Sequence, residues 1–270
     1  MAKYNKKRAR ELKHDKFRDT TMSLLDRLGD RLEGKGRTIL YGIAALIALA
    51  IIIGVFSSWR ARKADEARRA LGRAIEIATT PVSPAPLPGS TAPNFPTESA
   101  RAQRAVEEFQ KVADKYGDPY RETARYFIAT NQLSLDRNKG ISDLEALAKS
   151  GDPEVATLSR FALAQAKEAD GKYDEAAALY SELARQNSTL ITPEVANLRL
   201  AFIYEKQGKK KEAADIFFNI ANAARNAKDK DNKPLPQTGA AREAAQELQK
   251  LDPDRFAQLP PDAPLSGFPS

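Results

Sequence analysis

The 270-residue chain contains no cysteine and only one histidine, His14. The lack of cysteine excludes a disulfide framework, a thiol nucleophile and a thiolate metal site. His14 lies in a lysine- and arginine-rich segment, which excludes a His-dependent catalytic triad and a site built from several histidines. Glycine-rich phosphate loops are also missing, because no strand precedes the Gly34-Lys35-Gly36 stretch. We therefore predict that the protein is not an enzyme and binds no cofactor or metal ion.

The positive charge of the chain is concentrated near its N-terminus. Of the formal net charge of +7, residues 1–76 contribute +9 and residues 77–270 contribute −2. A basic folded body is typical of nucleic-acid-binding proteins. A basic segment beside an apolar one is instead typical of contact with anionic lipid. The distribution predicts a membrane partner and no nucleic-acid partner.

One long apolar segment, 38–56, runs for 19 residues without a charge. As a helix it would span about 28 Å, close to the ~30 Å hydrocarbon core of a bilayer. Tyr41 and Trp59 lie near its two ends, where aromatic rings favour the membrane interface. A buried core helix seldom runs this long without a polar residue, and residues 57–60 lack the small-x-small site of a cleaved signal peptide. The segment predicts an uncleaved signal anchor.

The orientation of this anchor follows from the segments on its two sides. Lys and Arg are almost evenly divided, with 5 in residues 18–37 and 6 in residues 57–76. Long domains are translocated largely regardless of their charge, so we expect the short basic tail, 1–37, to stay in the cytoplasm. The C-terminal part then lies on the other side of the membrane.

The N-terminal tail contains two patterns. The first is a basic cluster that includes Lys6, Lys7, Arg8 and Arg10. The second is a stripe of apolar residues within 17–32 that recur at three- and four-residue steps. One interpretation is a helix on the membrane surface, with the basic cluster contacting anionic lipid head groups. The alternative is a disordered tail that only sets the topology.

The C-terminal body contains an internal repeat. Residues 171–184 align with residues 208–221 at a shift of 37, and each stretch begins with a glycine. A period in the middle thirties, built from helix, glycine turn and helix, is typical of tetratricopeptide repeats. Small residues let the paired helices approach, and a glycine in the turn permits a positive φ. The alternative is a bundle of unrelated amphipathic helices.

These patterns predict an all-α fold, in which a single transmembrane helix is followed by a tetratricopeptide-like solenoid. The predicted segments are the tail (1–37), the anchor (38–56), a membrane-proximal helix and proline-rich loop (57–97), the repeat domain (98–258) and a disordered tail (259–270). The predicted helix pairs are 59–78 with 98–116, 119–135 with 141–149, 153–170 with 173–187 and 193–207 with 210–228, followed by a capping helix at 240–251. Residues 136–140 are expected to break the second pair.

A protein-binding groove is expected on the concave surface, which the first helix of each pair would line. The groove-facing positions are Leu158, Phe161, Gln165, Glu168, Val195, Leu198, Phe202 and Glu205. This mainly apolar set suits extended or helical hydrophobic segments of other proteins. The alternative is that these side chains only pack against the neighbouring helix or the capping helix.

The order of a basic amphipathic segment, an anchor at 38–56, a helix leaving the membrane and repeats around Gly171 and Gly208 resembles the YfgM-like family. That family is typified by the ancillary subunit of the bacterial SecYEG translocon. The resemblance implies a type II inner-membrane protein whose periplasmic repeats bind translocon subunits, a membrane-anchored periplasmic chaperone or isomerase, and exported chains.

The leading hypothesis is a membrane-anchored adaptor that stands beside the translocon and receives or relays exported chains. One alternative is a scaffold for another envelope complex, such as one for cytochrome maturation or cell division. Another is a regulatory protein whose tail contacts a cytoplasmic signalling protein while its repeats sense the envelope.

Overall fold

The computed structural model describes residues 36–85 and 93–262, with side chains from Tyr41 onward. Every named element in these ranges is a helix, so the predicted all-α class is confirmed. The helices are α1 (Gly36–Thr79), α2 (Glu98–Lys115), α3 (Tyr120–Gln132), α4 (Arg137–Leu147), α5 (Pro153–Ala169), α6 (Tyr173–Ala184), α7 (Pro193–Lys206), α8 (Lys210–Asn226), α9 (Gly239–Leu251) and α10 (Pro253–Phe256). The predicted lipid-contacting tail, with its cluster around Lys6, lies outside the described residues.

Helix α1 is the long apolar N-terminal helix that the sequence predicts. It has 44 residues, and its most apolar stretch of 18 residues has a mean hydropathy of 2.3 with no part of it buried. By length and composition, it is the one helix in the described ranges that can cross a membrane. The chain divides into two compact units within α1, one ending at Asp65 and the other beginning at Glu66.

The helices of the second unit begin where the sequence supplies a cap. Thr97, Asp152, Thr192 and Thr238 precede α2, α5, α7 and α9, and each side chain accepts a backbone N–H of the first turn. Such a cap contributes about 1 kcal/mol, because it satisfies a donor that the helix leaves unpaired. Proline at the first position of α5, α7 and α10 fixes φ in the helical range.

The second pair is broken at 133–136 rather than at the predicted 136–140, because α4 already begins at Arg137. The carboxylate of Asp136 caps the helix by accepting the N–H of Lys139 at 3.0 Å. Gly140 lies inside the helix and is buried. A Cβ at this position would lie 2.7 Å from the backbone N of Leu133 and 3.0 Å from the backbone O of Ala129. The glycine thus permits a close approach of α4 to α3 rather than making a turn.

Each helix of the second unit packs mainly against its neighbours in the chain. Contacts between second neighbours join α3 to α5 and α7 to α9. The core is a series of local clusters: one is centred on Phe109, one on Leu144, one on Tyr180 and one on Phe217. The residues between these centres are largely alanines, which let helix axes come close together.

The predicted first helix pair, across the proline-rich loop, is present within the second unit. Ala67 and Ala74 of α1, seven residues apart on one helix face, are each 1% exposed and pack in the cluster of Phe109. The ends of the loop are tied together, since the N–H of Ser83 donates to the carbonyl of Phe95 at 3.0 Å. The part of α1 from Glu66 to Thr79, about four turns, therefore belongs to the packed body. The sequence analysis instead places the start of the repeat domain at residue 98.

The packed chain also extends beyond the predicted boundary at 258. Leu259 is 8% exposed and packs in the cluster of Phe217. The guanidinium of Arg225 donates to the carbonyl of Pro260 at 2.5 Å, and its Nε lies 3.0 Å from the carboxylate of Asp262. Residues 259–262 therefore contact α8, which corrects the expectation of disorder from residue 259. Leu259 packs in this cluster because α8 and α9 present an apolar surface there.

Candidate protein-binding surface

The turns at Gly171 and Gly208 have the same geometry. Their φ angles are +71° and +74°, in the left-handed region that favours glycine. After each glycine, the next N–H bonds back to the preceding helix: Lys172 to the carbonyl of Lys167 at 2.9 Å, and Lys209 to that of Tyr204 at 2.8 Å. This is the hydrogen bond of a Schellman motif, which ends a helix by satisfying its last carbonyls.

The same register continues into the helices on both sides of these turns. Before the turns, Ala164 and Ala201 are both fully buried, and after them Ala176 and Ala213 are too. Tyr180 and Phe217 fill the space at the centre of each pair, with no exposed surface. These alanines and central rings, 37 positions apart, therefore have the same environment in the two pairs.

The predicted groove residues of α5 fall into two groups. Leu158 and Phe161 are half-buried and pack against the cluster of Tyr180, and the ring of Phe161 meets that of Tyr180 edge-on at 5.9 Å. Gln165 is exposed. The rim of α5 therefore offers one polar side chain to solvent beside two partly covered apolar ones.

Glu168, the fourth predicted residue of α5, is engaged within the body. Its carboxylate accepts the hydroxyl of Tyr180 at 3.1 Å and the ammonium of Lys206 at 2.6 Å, which joins α5 to α6 and α7. Burial raises the pKa of the Tyr180 hydroxyl, and the negative charge of Glu168 adds to the effect. Glu168 thus orients helices and is not free to contact a partner.

The predicted groove residues of α7 are covered to different extents. Val195 and Glu205 are half-buried. Phe202 is partly buried, with its ring edge-on to Phe217 at 5.4 Å. Leu198 is only 5% exposed, because the apolar face of α9 packs against α7 and α8. The prediction that Leu198 lines an open groove is therefore wrong.

A buried lysine connects three helices beside this surface. Lys167 of α5 is 8% exposed, and its ammonium lies 2.7 Å from the carboxylate of Glu175 on α6 and 3.3 Å from that of Glu145 on α4. The hydrogen bond to Glu175 is the main reason that the pKa of Lys167 is raised. The amine therefore stays protonated and acts as a structural link rather than as a nucleophile.

An open cleft that the sequence analysis missed lies between α7, α8 and the segment that leads to α9. Its volume is about 410 Å³. Six apolar residues form most of its lining: Ile220, Ala223, Ala224, Ala227, Leu235 and Pro236. Its polar lining residues are Glu194, Asn197, Asn219 and Thr238. We call this the apolar cleft.

The segment 227–238 folds back on itself and forms one wall of the apolar cleft. The carboxylate of Asp229 accepts the N–H groups of Asp231 at 2.8 Å and of Lys233 at 2.9 Å. The N–H of Leu235 then returns to the carbonyl of Ala227 at 2.9 Å. Leu235 is brought to the end of α8 in this way, and 42% of its surface remains exposed. In the sequence, the apolar residues Ile220 and Ala224, one helical turn apart on α8, were a signal for this face.

A second open cleft of about 410 Å³ lies between α2, α3 and α4. Its lining is more polar, and we call it the polar cleft. The charged and amide side chains that line it are Gln110, Asp114, Glu122, Arg125, Lys139 and Asp143. Arg125 pairs with Glu122 at 2.9 Å, and Lys139 with Asp143 at 2.7 Å. These charges largely neutralise one another within single helices.

Among the described residues, no group of three or more His, Asp or Glu side chains is arranged to hold a metal ion. Comparisons with known proteins give no relative for this chain. No family model matches it, and neither the search of curated proteins nor that of solved structures finds a match.

Proposed function

We propose that the protein is a membrane-anchored adaptor that binds apolar segments of other polypeptides. The observation that carries this proposal is the apolar cleft, which lies in the same chain as a helix long and apolar enough to cross a membrane. No chemical step is part of the proposal.

We further propose that the helices of the second unit form a tetratricopeptide-like solenoid. Three observations support this assignment: equal burial of the alanines and central rings that lie 37 residues apart, matching glycine turns, and packing between chain neighbours with added contacts between second neighbours. In such a solenoid each pair contacts only its neighbours, and an end helix must cover the last apolar face. The position of α9 over α7 and α8 fits that role.

The chemistry of the apolar cleft indicates what kind of segment it would take. A volume of about 410 Å³ lies in the range of small binding sites and accommodates a few side chains rather than a folded domain. Leu235, Ile220 and the alanines of α8 offer apolar contacts. The amides of Asn197 and Asn219 can both donate to and accept from a peptide backbone. A short hydrophobic stretch of an unfolded chain meets these requirements.

We propose a protein-export translocon as the site of action, on the basis of the resemblance to the YfgM-like family. The C-terminal body would then lie in the periplasm and meet exported chains as they emerge, together with translocon subunits and a periplasmic chaperone. Confinement to the membrane would raise the effective concentration of the cleft near its partners, so a weak site would be sufficient.

The test is site-specific photo-crosslinking in intact inner-membrane vesicles. A photo-reactive residue is placed at Leu235 in the apolar cleft, at Phe202 on α7, or at Gln103, an exposed position of α2 that serves as the matched control. A protease-accessible tag at the C-terminus reports the topology in the same sample. We expect crosslinks to exported chains or translocon subunits from Leu235, few from Phe202 and none from Gln103.

Two results would contradict the proposal. Equal crosslinking from Leu235 and Gln103 would mean that the apolar cleft has no special role. A tag that is digested only on the cytoplasmic side would remove the periplasmic assignment.

The polar cleft favours a second candidate, a scaffold that holds one fixed partner. Its polar lining, with paired charges and the side chains of Gln110 and Ser150, suits the polar surface of a folded partner better than a variable hydrophobic segment. A photo-reactive residue at Arg125 distinguishes the two. Crosslinks from Arg125 to a single complex, with none from Leu235, would support the scaffold in place of the adaptor.

A further inference from the structure

Two pairs of aromatic and basic side chains lie on one face of α1, at the C-terminal end of its apolar stretch. The guanidinium of Arg60 lies 5.6 Å from the ring centre of Phe56, and the ammonium of Lys63 lies 4.1 Å from that of Trp59. The two rings are 6.1 Å apart. We call these four residues the aromatic–basic collar.

The collar is exposed and lies in a part of the chain without acidic residues. Phe56 and Trp59 are 55% and 51% exposed, although rings of this size are usually buried in a protein surrounded by water. No Asp or Glu occurs between Glu33 and Asp65. In the stretch that contains the apolar residues and the collar, every charged residue is therefore Lys or Arg.

The spacing sets the order of the groups along the helix. Each cation follows its ring by four residues, which is one turn or about 6 Å further from the apolar stretch. Aromatic rings favour the depth of the lipid glycerol and head groups. Cations one turn further out reach the level of the lipid phosphates. Each cation can do so while it stays in contact with its aromatic ring.

We infer that the aromatic–basic collar is a binding site for the phosphate groups of anionic phospholipids, and that it selects them over zwitterionic lipids. This inference rests on the proposed membrane span. Arg60 and Lys63 supply the charge, while Phe56 and Trp59 fix the depth and hold the cations over the head groups. The selectivity comes from the net negative charge of the lipid, because a zwitterionic head group also carries a phosphate but has no net charge.

The experiment uses the fact that Trp59 is the only tryptophan in the chain. The full-length protein is reconstituted into phosphatidylcholine vesicles that contain an equal fraction of either brominated phosphatidylglycerol or brominated phosphatidylcholine. Bromine quenches only a nearby indole, so the ratio of the two quenching constants measures which lipid contacts the collar. We expect phosphatidylglycerol to quench more strongly, by a ratio on the order of five.

The variants separate the collar from general positive charge. Arg60→Gln/Lys63→Gln should lower the ratio to about one at unchanged quenching by brominated phosphatidylcholine. The matched control, Arg69→Gln/Arg73→Gln, removes two cations from the same helix beyond the collar and should keep the ratio. High salt should lower the wild-type ratio, because it screens exposed charges.

Different failures have different meanings. A wild-type ratio of one, or an equal loss in both double variants, would overturn the lipid site while leaving the membrane span in place. Absence of quenching by either brominated lipid would instead show that Trp59 is outside the bilayer, and it would overturn the proposed span.

Discussion

The helix pairs α5–α6 and α7–α8 have turns of the same geometry but differ in the elements that pack against them. Both glycine turns have a positive φ near +70° and the same returning hydrogen bond, and the buried alanines correspond at a shift of 37 residues. The first pair is followed by another pair, whereas the second is covered by α9. Similar local sequences therefore produce similar pairs, and the next element decides which of their side chains stay accessible.

A second difference lies at the centre of the two pairs. Tyr180 donates its hydroxyl to Glu168, whereas the corresponding residue of the second pair is Phe217, which has no hydroxyl. Glu205 takes the position that corresponds to Glu168. The first pair thus has a side-chain hydrogen bond between α5 and α6 at its centre. The second pair has only apolar packing at the corresponding ring. Four predictions test how far the equivalence of the two pairs extends.

The largest effect is expected from removing the central aromatic ring of a pair. Phe217→Ala and Tyr180→Ala should each lower the free energy of unfolding by about 3–5 kcal/mol, because each leaves a cavity in a fully buried site. Denaturant unfolding of the full chain in detergent, followed by circular dichroism, measures this loss. Phe218→Ala, at a half-buried neighbouring position, is the control and should cost less. Equal losses for Phe217 and Phe218 would contradict the assigned register.

Gly140→Ala should give the next largest loss, about 2–3 kcal/mol. The new methyl group would collide with the backbone of α3, which cannot move as a side chain can. Gly151→Ala is the control, since nothing lies within 4 Å of its added Cβ. The same unfolding measurement applies. A loss no greater than that of the control would show that α3 and α4 do not approach this closely.

Gly171→Ala and Gly208→Ala should each cost about 1–2 kcal/mol for a different reason. Space is open at both positions, but the positive φ is unfavourable for a residue with a Cβ. Asparagine tolerates this conformation better than alanine does. We therefore expect Gly171→Asn to recover part of the loss in thermal unfolding and Gly140→Asn to recover none. Clearly unequal losses at Gly171 and Gly208 would break the equivalence of the turns.

The smallest effect concerns the hydroxyl of Tyr180. Tyr180→Phe should cost about 1 kcal/mol, because one buried hydrogen bond is lost while Lys206 still pairs with Glu168. The reverse change, Phe217→Tyr, should be close to neutral if Glu205 accepts the new hydroxyl. Chemical denaturation of both variants in parallel provides the comparison. A loss well above 1 kcal/mol for Phe217→Tyr would limit the equivalence of the pairs to their backbones.

Much of the fold could be predicted because its signals are local. Caps such as Asp152 and Thr192, the prolines that follow them and the glycine turns mark helix ends within a few residues of the chain. The prediction failed at Gly140, where the same residue type serves a close contact between helices instead of a turn. A glycine at a turn and a glycine at a crossing look alike in the sequence, because only the neighbouring helix distinguishes them.

The candidate site was harder to predict than the fold. Leu198 was expected to face a groove, but α9 covers it. The apolar cleft was missed because its lining comes from α7, α8 and a folded-back segment that brings Leu235 beside Ala227. Helical periodicity shows which face of a helix is apolar, and it does not show whether another element covers that face.

By itself, the sequence determined the helical class, the apolar stretch of α1, most helix boundaries and the 37-residue register, since each of these depends on residues close together in the chain. The tertiary structure alone decided that Glu168 links three helices, that Leu198 is buried and that an open apolar cleft lies beside Leu235. Exposure is a property of contacts between distant residues. It emerges only when the helices have packed.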